Sequence, residues 1–205
     1  MICTLCETSL KNKIDDSFFE CKICNALVKD CQFYLTRQQE KERYESHNND
    51  VNDVRYQQFT SPITKFILKN YTQNHFGLDF GCGTGPVISK QLQNNGFRVQ
   101  LFDVFFYPDE NYLNFQYDYI ICCEVFEHFF YPKQEIEKLL RLLKTDGRLL
   151  IMTHQFDRLI DFPNWYYRKD PTHVFIFTSK TFQFIAEKYH LTIENHTNRF
   201  VILKK

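Results

Sequence analysis

A glycine-rich stretch has the residue types and spacing that suit the binding of a nucleotide in this 205-residue chain. An apolar run ends near Asp79, and Gly81, Gly83 and Gly85 follow at every second position before Pro86. Glycines let the backbone turn sharply and let a ligand approach closely, and the following helix presents free N–H groups at the same place. The pattern predicts a strand, a tight turn and a helix start, with a nucleotide bound against the turn.

The spacing also indicates which nucleotide the turn binds. A dinucleotide-binding fingerprint requires glycine or alanine where Pro86 stands, and a Walker loop requires a Lys-Ser/Thr pair that this stretch lacks. The remaining acidic-x-Gly-x-Gly-x-Gly pattern, from Asp79 to Gly85, resembles that of the class I S-adenosylmethionine-dependent methyltransferases. The resemblance implies S-adenosylmethionine as the cofactor. A glycine turn that binds no ligand is the structural alternative.

A second acidic position follows the next predicted strand. Residues 97–103 are mostly apolar and end in Asp103. In nucleotide-binding sheets, a carboxylate at this place accepts hydrogen bonds from both ribose hydroxyls. Because Asp103 follows a glycine turn in the sequence, the role of ribose ligand is favoured over that of a loop aspartate that only ends a strand. Asp103 also corresponds to the second motif of the methyltransferase resemblance.

The predicted strand at 117–123 leads into a third group of chemically active side chains. Glu124, Glu127 and His128 are three and four residues apart, so a short helical turn places them on one face. The motif resembles the family's fourth motif and that of quinone O-methyltransferases, some of which use a metal there. Three such groups suit a divalent ion. In the favoured alternative, Glu127 and His128 orient the turn and each other.

The resemblance implies a cofactor site built from the ends of three neighbouring strands. The residues that it assigns to cofactor binding are Asp79, Phe80, Gly81, Cys82, Gly83, Gly85, Asp103, Val104, Cys123 and Glu124. One stretch departs from the family pattern. Between Asp103 and residue 117 there is room for a short strand at 111–115 but not for the usual full helix.

Four cysteines near the start of the sequence have the spacing of a metal site. Cys3 and Cys6 form one Cys-x-x-Cys pair, and Cys21 and Cys24 form another. Each pair brings two thiolates to one ion, and four thiolates complete a tetrahedral structural zinc site. A ribbon of this size requires the metal to fold. Four unrelated thiols are the alternative.

The connection at 154–178 leaves the carboxyl end of the predicted fifth strand, on the side of the sheet where ligands bind. It contains the single tryptophan of the sequence, Trp165, followed by Tyr166 and Tyr167. An exposed aromatic cluster is unfavourable without a function, so this connection is predicted to be a lid over the substrate. Packing beneath the sheet is the structural alternative.

The candidate catalytic residues are mainly histidines, which titrate near neutral pH and can take a proton from an O–H or N–H group. We expect His173 to be the base and Asp170 to orient it, with His47 as the second candidate and His128 as another. Trp165, the paired tyrosines and the run from Asp170 to His173 resemble a bacterial subgroup of the family, in which an N-terminal zinc knuckle precedes the catalytic domain.

The order of the predicted elements is that of a Rossmann-like, seven-stranded class I methyltransferase sheet in three α/β/α layers. Residues 36–43 are charged and predict a solvated linker helix, residues 62–74 predict a helix on the sheet, and Ser179 is expected to cap a later helix. The predicted domains are a zinc ribbon at 1–35, a linker and substrate-side cap at 36–60, and a methyltransferase domain at 61–205.

The composition of the sequence argues against nucleic acid and membrane as partners. The 25 basic and 25 acidic side chains cancel, so there is no broad positive field to attract nucleic acid. No apolar run approaches the length of a membrane span, and the first residues lack the pattern of a signal peptide, so we expect a cytosolic protein. Eight cysteines in a reducing compartment indicate metal ligands or buried thiols rather than disulfides.

These features predict an S-adenosylmethionine-dependent methyltransferase that acts on an O or N atom of a small or carrier-linked molecule. Two alternatives stay open. Zinc-bearing RNA methyltransferases also place four cysteines ahead of this fold, although the neutral charge argues against RNA as the substrate. A protein that binds the cofactor without catalysis would have the same glycine turn and Asp103.

Overall fold

Two β-sheets and six α-helices occur in residues 1–46 and 49–205, the part of the chain that the computed structural model describes. The strands are β1 (Asn12–Lys13), β2 (Phe18–Glu20), β3 (Leu27–Lys29), β4 (Phe76–Phe80), β5 (Arg98–Phe102), β6 (Tyr117–Cys123), β7 (Leu143–Met152), β8 (Phe175–Ile176), β9 (Thr192–His196) and β10 (Phe200–Lys204). The helices are α1 (Arg37–Glu45), α2 (Val54–Asn70), α3 (Val87–Asn94), α4 (Pro132–Leu142), α5 (Tyr166–Lys169) and α6 (Ser179–Tyr189). No helix in this part of the chain is long and apolar enough to cross a membrane.

The larger sheet is mixed and has the strand order β5-β4-β6-β7-β10-β9. Strands β5, β4, β6 and β7 pair in parallel, and β10 pairs antiparallel with both β7 and β9. Within the described residues this sheet therefore has six strands, where the sequence predicts seven. The α/β fold itself is as predicted.

The predicted short strand at 111–115 is instead a 3-10 turn at Glu110–Asn114. The carboxylate of Asp109 accepts a hydrogen bond from the backbone N–H two residues further on, at 3.0 Å, which starts the turn. Tyr112 is buried, with its ring centroid 4.1 Å from that of Phe102. Local capping and this aromatic contact together outweigh the β propensity of the stretch.

Helices cover both faces of the larger sheet. On one face, α2 and α3 bury apolar side chains against alternate sheet residues such as Tyr119, Ile121 and Leu150. On the other face, α4, α6 and part of residues 1–35, called the N-terminal segment below, pack against the intervening residues, such as Ile120 and Leu149. The alternation follows from the period of two in a strand, so the buried strands read as continuous apolar runs.

Helix α2 begins earlier than the sequence predicts. Residues 62–70 of the predicted helix at 62–74 are the second half of a helix that starts after Asp53, and residues 71–74 lie beyond its end. The side chain of Asp53 caps the helix by accepting from the N–H of Arg55 at 2.8 Å. Pro62 lies inside this helix. Ile63 lies in the core on the α2 and α3 face, and this packing offsets the backbone hydrogen bond that proline cannot make.

Two other helix starts are set by threonines. Helix α6 is capped by Thr178 rather than by Ser179, because the Thr178 hydroxyl accepts a hydrogen bond from the N–H of Thr181 at 3.1 Å. Helix α1 starts with a capping box between Thr36 and Gln39.

The smaller sheet joins the N-terminal segment to the connection after β7. Its order is β1-β2-β3-β8, and β3 pairs antiparallel with β8, with Leu27 opposite Ile176. The guanidinium of Arg168 donates to the carboxylate of Asp15 at 2.6 and 2.9 Å. The buried side chains between the two segments are Phe18, Leu27, Phe162, Trp165, Tyr167 and Ile176. Trp165 therefore packs against the N-terminal segment, an arrangement distinct from packing beneath the main sheet.

Candidate active site

A cavity of about 1010 Å³ lies at the carboxyl ends of β4, β5 and β6. The last residues of these strands, Phe80, Phe102 and Cys123, all line it. Parallel sheets of open α/β folds bind their ligands at this edge, because the loops that follow the strands meet there. The predicted cofactor-binding residues Phe80, Gly81, Cys82, Gly83, Asp103, Val104, Cys123 and Glu124 all line the cavity, whereas Asp79 and Gly85 do not.

Asp79 lies beneath the glycine turn rather than on the cavity wall. Its carboxylate accepts a hydrogen bond of 2.6 Å from the hydroxyl of Ser89 in α3. Burial raises the pKa of Asp79 to about 6. The hydrogen bond connects the end of β4 to the helix that follows the turn, so this side chain holds the turn against its helix.

Gly85 is where the turn approaches another part of the chain. A Cβ atom at Gly85 would lie 1.7 Å from the carbonyl oxygen of Asn49, so only glycine fits this position. Gly83 has a φ angle of +65°, a conformation that other residues rarely adopt, but a Cβ atom there would make only an ordinary contact with Nδ2 of Asn49, at 3.5 Å. The two glycines therefore serve different needs, close approach at one and backbone conformation at the other.

Asp103 connects the glycine turn to the loop after β5. One carboxylate oxygen accepts a hydrogen bond from the N–H of Gly83 at 3.0 Å. The other oxygen accepts from the N–H groups of Phe105 and Phe106 at 2.9 and 3.1 Å. A carboxylate has about four lone-pair sites and three are used here, so Asp103 can still accept one hydrogen bond from a ligand through Oδ2.

Glu124 has a buried carboxylate oxygen on the cavity wall. Its Oε1 atom has no hydrogen-bond partner in the described part of the chain, and its backbone has a φ angle of +53°. Burial raises the pKa of Glu124 to about 7, while the charge of Arg199 opposes that rise. A buried acceptor without a partner is costly in a folded protein, so this atom is suited to a donor on a ligand.

Glu127 is fully buried and is hydrogen-bonded through both carboxylate oxygens. It accepts from the phenol of Tyr167 and, at 3.0 Å, from the hydroxyl of Thr153. Burial and the nearby charge of Glu124 raise the pKa of Glu127 to about 7. These contacts tie the turn after β6 to the connection after β7.

His128 and His173 come together on the cavity wall although they are far apart in the sequence. Their ring centroids are 4.8 Å apart. The Nδ1 atom of His128 lies 3.0 Å from the carbonyl of Thr172, and that of His173 lies 2.7 Å from the carbonyl of Tyr167. A carbonyl can only accept, so each Nδ1 carries hydrogen and each neutral ring has its lone pair on Nε2. Burial lowers the pKa of both histidines to about 4, which keeps them neutral at pH 7.

The structure also groups Glu127, His128 and His173 as possible metal ligands. One donor atom from each of them lies within 4.8 Å of the others. His173 thus takes the place that the sequence gives to Glu124 in this set. The hydroxyl hydrogen bonds that Glu127 already accepts favour the alternative reading, in which the group orients the turn.

Asp170 lies close to His173 but is hydrogen-bonded to other residues. Its carboxylate accepts from the N–H and hydroxyl of Thr172 at 3.0 and 2.5 Å and from Arg43 at 2.6 Å. Burial opposes ionisation of Asp170, but these hydrogen bonds outweigh it and hold the pKa of the carboxyl well below its usual range. The imidazole of His173 is oriented by Tyr167 instead, because Asp170 closes a local turn with Thr172. His47, another predicted catalytic residue, lies outside the described residues.

Helix α1 forms part of the cavity wall, although the sequence predicts a solvated linker helix at 36–43 within the linker and cap at 36–60. Arg37, Glu40 and Tyr44 line the cavity and are spaced three and four residues apart, so they share one helix face. The sequence predicts a solvated linker because this face is polar. Glu40 is nevertheless buried, and burial raises its pKa. In the sequence, only the spacing of these residues indicates that they share one face of the helix.

The four N-terminal cysteines converge on one point. Their sulfur atoms all lie within 4.8 Å of one another, with Cys3 to Cys24 at 3.6 Å and Cys6 to Cys21 at 3.3 Å. Four thiolates around zinc, with Zn–S bonds of about 2.3 Å, have sulfur atoms about 3.8 Å apart. The residues that follow each Cys-x-x-Cys pair, Glu7 and Asn25, both adopt a left-handed conformation. The two turns have the same shape, and their thiols fit a tetrahedral metal ion.

Comparisons with known proteins support a methyltransferase domain and its fold. Residues 53–196 match the family model of a methyltransferase domain. No curated protein matches the sequence. A 1,6-didemethyltoxoflavin-N1-methyltransferase from Burkholderia thailandensis, solved with 1,6-didemethyltoxoflavin and S-adenosylhomocysteine, has a similar structure. Its TM-score is 0.61 at 14% identity, over 96% of this chain and 99% of that chain.

Two further methyltransferases are also similar in structure. Human N-acetylserotonin methyltransferase, solved with S-adenosylmethionine, has a TM-score of 0.54 at 11% identity over 82% of this chain and 59% of that chain. The mitomycin 7-O-methyltransferase MmcR has a TM-score of 0.52 at 12% identity over 82% of this chain and 67% of that chain. At these identities the likeness concerns the fold alone.

Proposed function

Because the chain belongs to the methyltransferase-domain family, we propose that it transfers a methyl group from S-adenosylmethionine to an O or N atom of a small or carrier-linked molecule. One observation carries the proposal. The glycine turn, Asp103 and the paired imidazoles of His128 and His173 line the same cavity. A cofactor site and candidate proton acceptors therefore border one space, which is the arrangement that methyl transfer requires.

The cofactor side of the cavity would be formed by the strand ends. Asp103 would accept a hydrogen bond from a ribose hydroxyl through Oδ2 while it keeps its contact with Gly83. The unpartnered Oε1 atom of Glu124 would accept from a donor group of the bound cofactor, which would satisfy a buried acceptor. The closely approaching backbone at Gly81 and Gly83 leaves space for the ligand.

The chemistry of the chain itself concerns orientation and the proton. Bound S-adenosylmethionine supplies a methyl group that is already activated on a sulfonium. We propose His173 as the base, with His128 as the second candidate, because the Nε2 lone pair of each neutral ring can take the acceptor's O–H or N–H proton. The Nδ1 contact of His173 with the carbonyl of Tyr167 persists after protonation and keeps the ring in place. Asp170 would act indirectly, because its hydrogen bond with Thr172 stabilises the turn that leads to His173.

For the N-terminal part we propose a structural zinc ion held by Cys3, Cys6, Cys21 and Cys24. The separation of the four sulfur atoms supports this assignment. Residues 1–35 would then be a zinc ribbon, 36–60 a linker and cap, and 61–205 the methyltransferase domain. The cavity wall formed by α1 supports the assignment of a cap.

The first test is calorimetric titration of S-adenosylmethionine and, separately, of NAD into the zinc-loaded protein. We expect micromolar binding of S-adenosylmethionine and none of NAD. In Asp103→Asn the affinity should fall about tenfold or more, because the amide cannot accept through both atoms. Asp109→Asn is the matched control, since Asp109 is exposed and caps the neighbouring 3-10 turn.

Failure of a folded protein to bind S-adenosylmethionine would contradict the proposal. If binding is confirmed, release of S-adenosylhomocysteine in the presence of candidate acceptors separates an enzyme from a non-catalytic binding protein. Steeply salt-dependent binding and methylation of RNA would instead favour the RNA methyltransferase alternative.

A further inference from the structure

Lys29 is a buried lysine of the N-terminal segment that contacts the main chain just before His173. Only 6% of its surface is exposed. Its ammonium group donates to the carbonyl of Pro171 at 2.7 Å and lies 3.5 Å from that of Asp170. Its backbone N–H donates to the carbonyl of Val174 at 2.9 Å. One residue of the N-terminal segment thus holds the chain on both sides of His173.

The segment that Lys29 contacts is a tight turn. The N–H of His173 donates to the carbonyl of Asp170 at 3.2 Å, which closes the turn. The carboxylate of Asp170 accepts from the N–H of Thr172 within the turn and from Arg43 of α1. The turn is therefore held from two sides, by Arg43 through a side chain and by Lys29 through main-chain carbonyls.

Both cavity imidazoles depend on this turn. The carbonyl of Thr172 accepts the Nδ1–H of His128, and His173 is itself the last residue of the turn. A shift of the turn would change the hydrogen bond that sets the tautomer of His128. It would also move the ring of His173 relative to the carbonyl of Tyr167, its own Nδ1 partner. The two rings, whose planes are 67° apart, would then lose their present relative orientation.

We propose that Lys29 is a positioning residue: its ammonium group fixes the main chain of residues 170–173 and, through it, the orientation of the His128 and His173 rings. The N-terminal segment is then part of the acceptor side of the cavity rather than an appended module. This inference rests on the proposed function, because it takes the two histidines as the acceptor side of a methyltransferase site.

The energetics of the position agree with such a role. Burial lowers the pKa of Lys29 to about 8, against the attraction of Asp170, so the ammonium form still dominates at neutral pH. Burying a charge is unfavourable, and an apolar side chain of similar length would pack there at lower cost. The charge is compensated by carbonyl oxygens of the turn, so its evident structural effect is to hold that turn.

The test compares two variants. Lys29→Met keeps the length of the side chain and removes the hydrogen-bond donor, whereas Lys29→Arg keeps a cation whose N–H groups can donate to both carbonyls. Lys11→Met is the matched control, because Lys11 is an exposed lysine of the same segment. Nitrogen-detected NMR of the imidazoles reports the tautomers, and amide hydrogen exchange reports the turn. Zinc content, the unfolding transition and calorimetric binding of S-adenosylmethionine are measured on the same samples.

In the wild-type protein and in Lys11→Met, we expect His128 and His173 to be neutral with hydrogen on Nδ1. In Lys29→Met, both rings should show mixed tautomers, and the His173 amide should exchange about tenfold faster or more. Lys29→Arg should restore most of the wild-type imidazole pattern. Affinity for S-adenosylmethionine should stay within about twofold in all variants, because the cofactor side is built from other segments.

A folded Lys29→Met protein with wild-type tautomers and wild-type exchange at His173 would overturn the inference. If Lys29→Met does not fold, the wild-type protein provides the test through its lysine ammonium signals. The Lys29 ammonium protons should exchange far more slowly than those of Lys11 and show contacts to Pro171, and equal exchange would overturn the inference. Loss of cofactor binding in the wild type would instead count against the proposed function, so the two failures are distinguishable.

Discussion

The phenol of Tyr167 donates a hydrogen bond to the carboxylate of Glu127 inside the protein, where both side chains are buried. The Tyr167 oxygen also lies 2.9 Å from the hydroxyl of Thr153 and accepts from the N–H of His154 at 3.2 Å. These contacts connect the turn after β6 with the end of β7 and with α5. The side chain that the sequence suggests for a lid is therefore a central element of the site's scaffold.

Tyr167→Phe should destabilise the protein. Removing the phenol leaves the buried carboxylate of Glu127 with one donor fewer, so the free energy of unfolding should fall by about 1–3 kcal/mol. Urea unfolding followed by circular dichroism measures this change. Tyr166→Phe is the control, because Tyr166 is 59% exposed and should cost less than about 1 kcal/mol. Equal losses in the two variants would show that the buried hydrogen bond of Tyr167 contributes no more than the exposed contacts of Tyr166.

His128 should make folding sensitive to acid. Burial lowers its pKa from 6.5 to about 4, so between these values the unfolded chain binds a proton that the folded protein does not. The stability from the neutral ring is present above pH 6.5 and is lost as the pH falls from 6.5 towards 4. The raised pKa values of Glu124 and Glu127 act in the opposite direction, so a difference between variants is required.

We therefore expect the stability advantage of the wild type over His128→Gln to shrink between pH 7 and pH 4.5. Each unit of pKa difference corresponds to about 1.4 kcal/mol. Urea unfolding at several pH values measures both proteins. A difference between the two that is constant over this range would contradict the assignment of a buried neutral imidazole.

Gly85→Ala should disturb the turn more than Gly83→Ala. A methyl group at Gly85 would meet the carbonyl of Asn49 at 1.7 Å, which forces the backbone apart at a cost of about 1–3 kcal/mol. At Gly83 the nearest atom would be 3.5 Å away, so only the positive φ angle is unfavourable, at about 1 kcal/mol. Thermal and urea unfolding of both variants compare the costs, and a larger loss at Gly83 would contradict the close approach of Asn49.

Removal of zinc should unfold the N-terminal segment and weaken its sheet with β8. Cys21→Ser should lose the metal, because Cys21 belongs to the buried cluster, whereas Cys31→Ser should keep about one zinc ion per chain, since Cys31 is exposed and lies outside the cluster. Metal analysis and a chelator titration monitored by the fluorescence of Trp165 measure these outcomes. Zinc retained in full by Cys21→Ser would exclude the four-cysteine site.

Several features could be predicted from short stretches of sequence. The glycine turn, the ends of β4 and β5 and the two Cys-x-x-Cys turns are encoded locally, because glycine conformation and strand periodicity depend on neighbouring residues. The predicted helix at 62–74 has other bounds in the structure, and the predicted strand at 111–115 is a 3-10 turn. In both cases an aspartate before the predicted element, Asp53 or Asp109, caps the turn or helix that forms instead.

Other features depend on contacts between distant segments, and no local pattern specifies them. The pairing of β3 with β8, the approach of His128 to His173 and the contact of Lys29 with the turn at Pro171 all join stretches that are far apart in the chain. Such contacts form only when apolar surfaces from several elements are buried together, which then decides which polar groups must pair. Residue types and spacing therefore indicate the family and the residues proposed for the cofactor side of the cavity. Which side chains face each other across the acceptor side was decided by the packing of the folded chain.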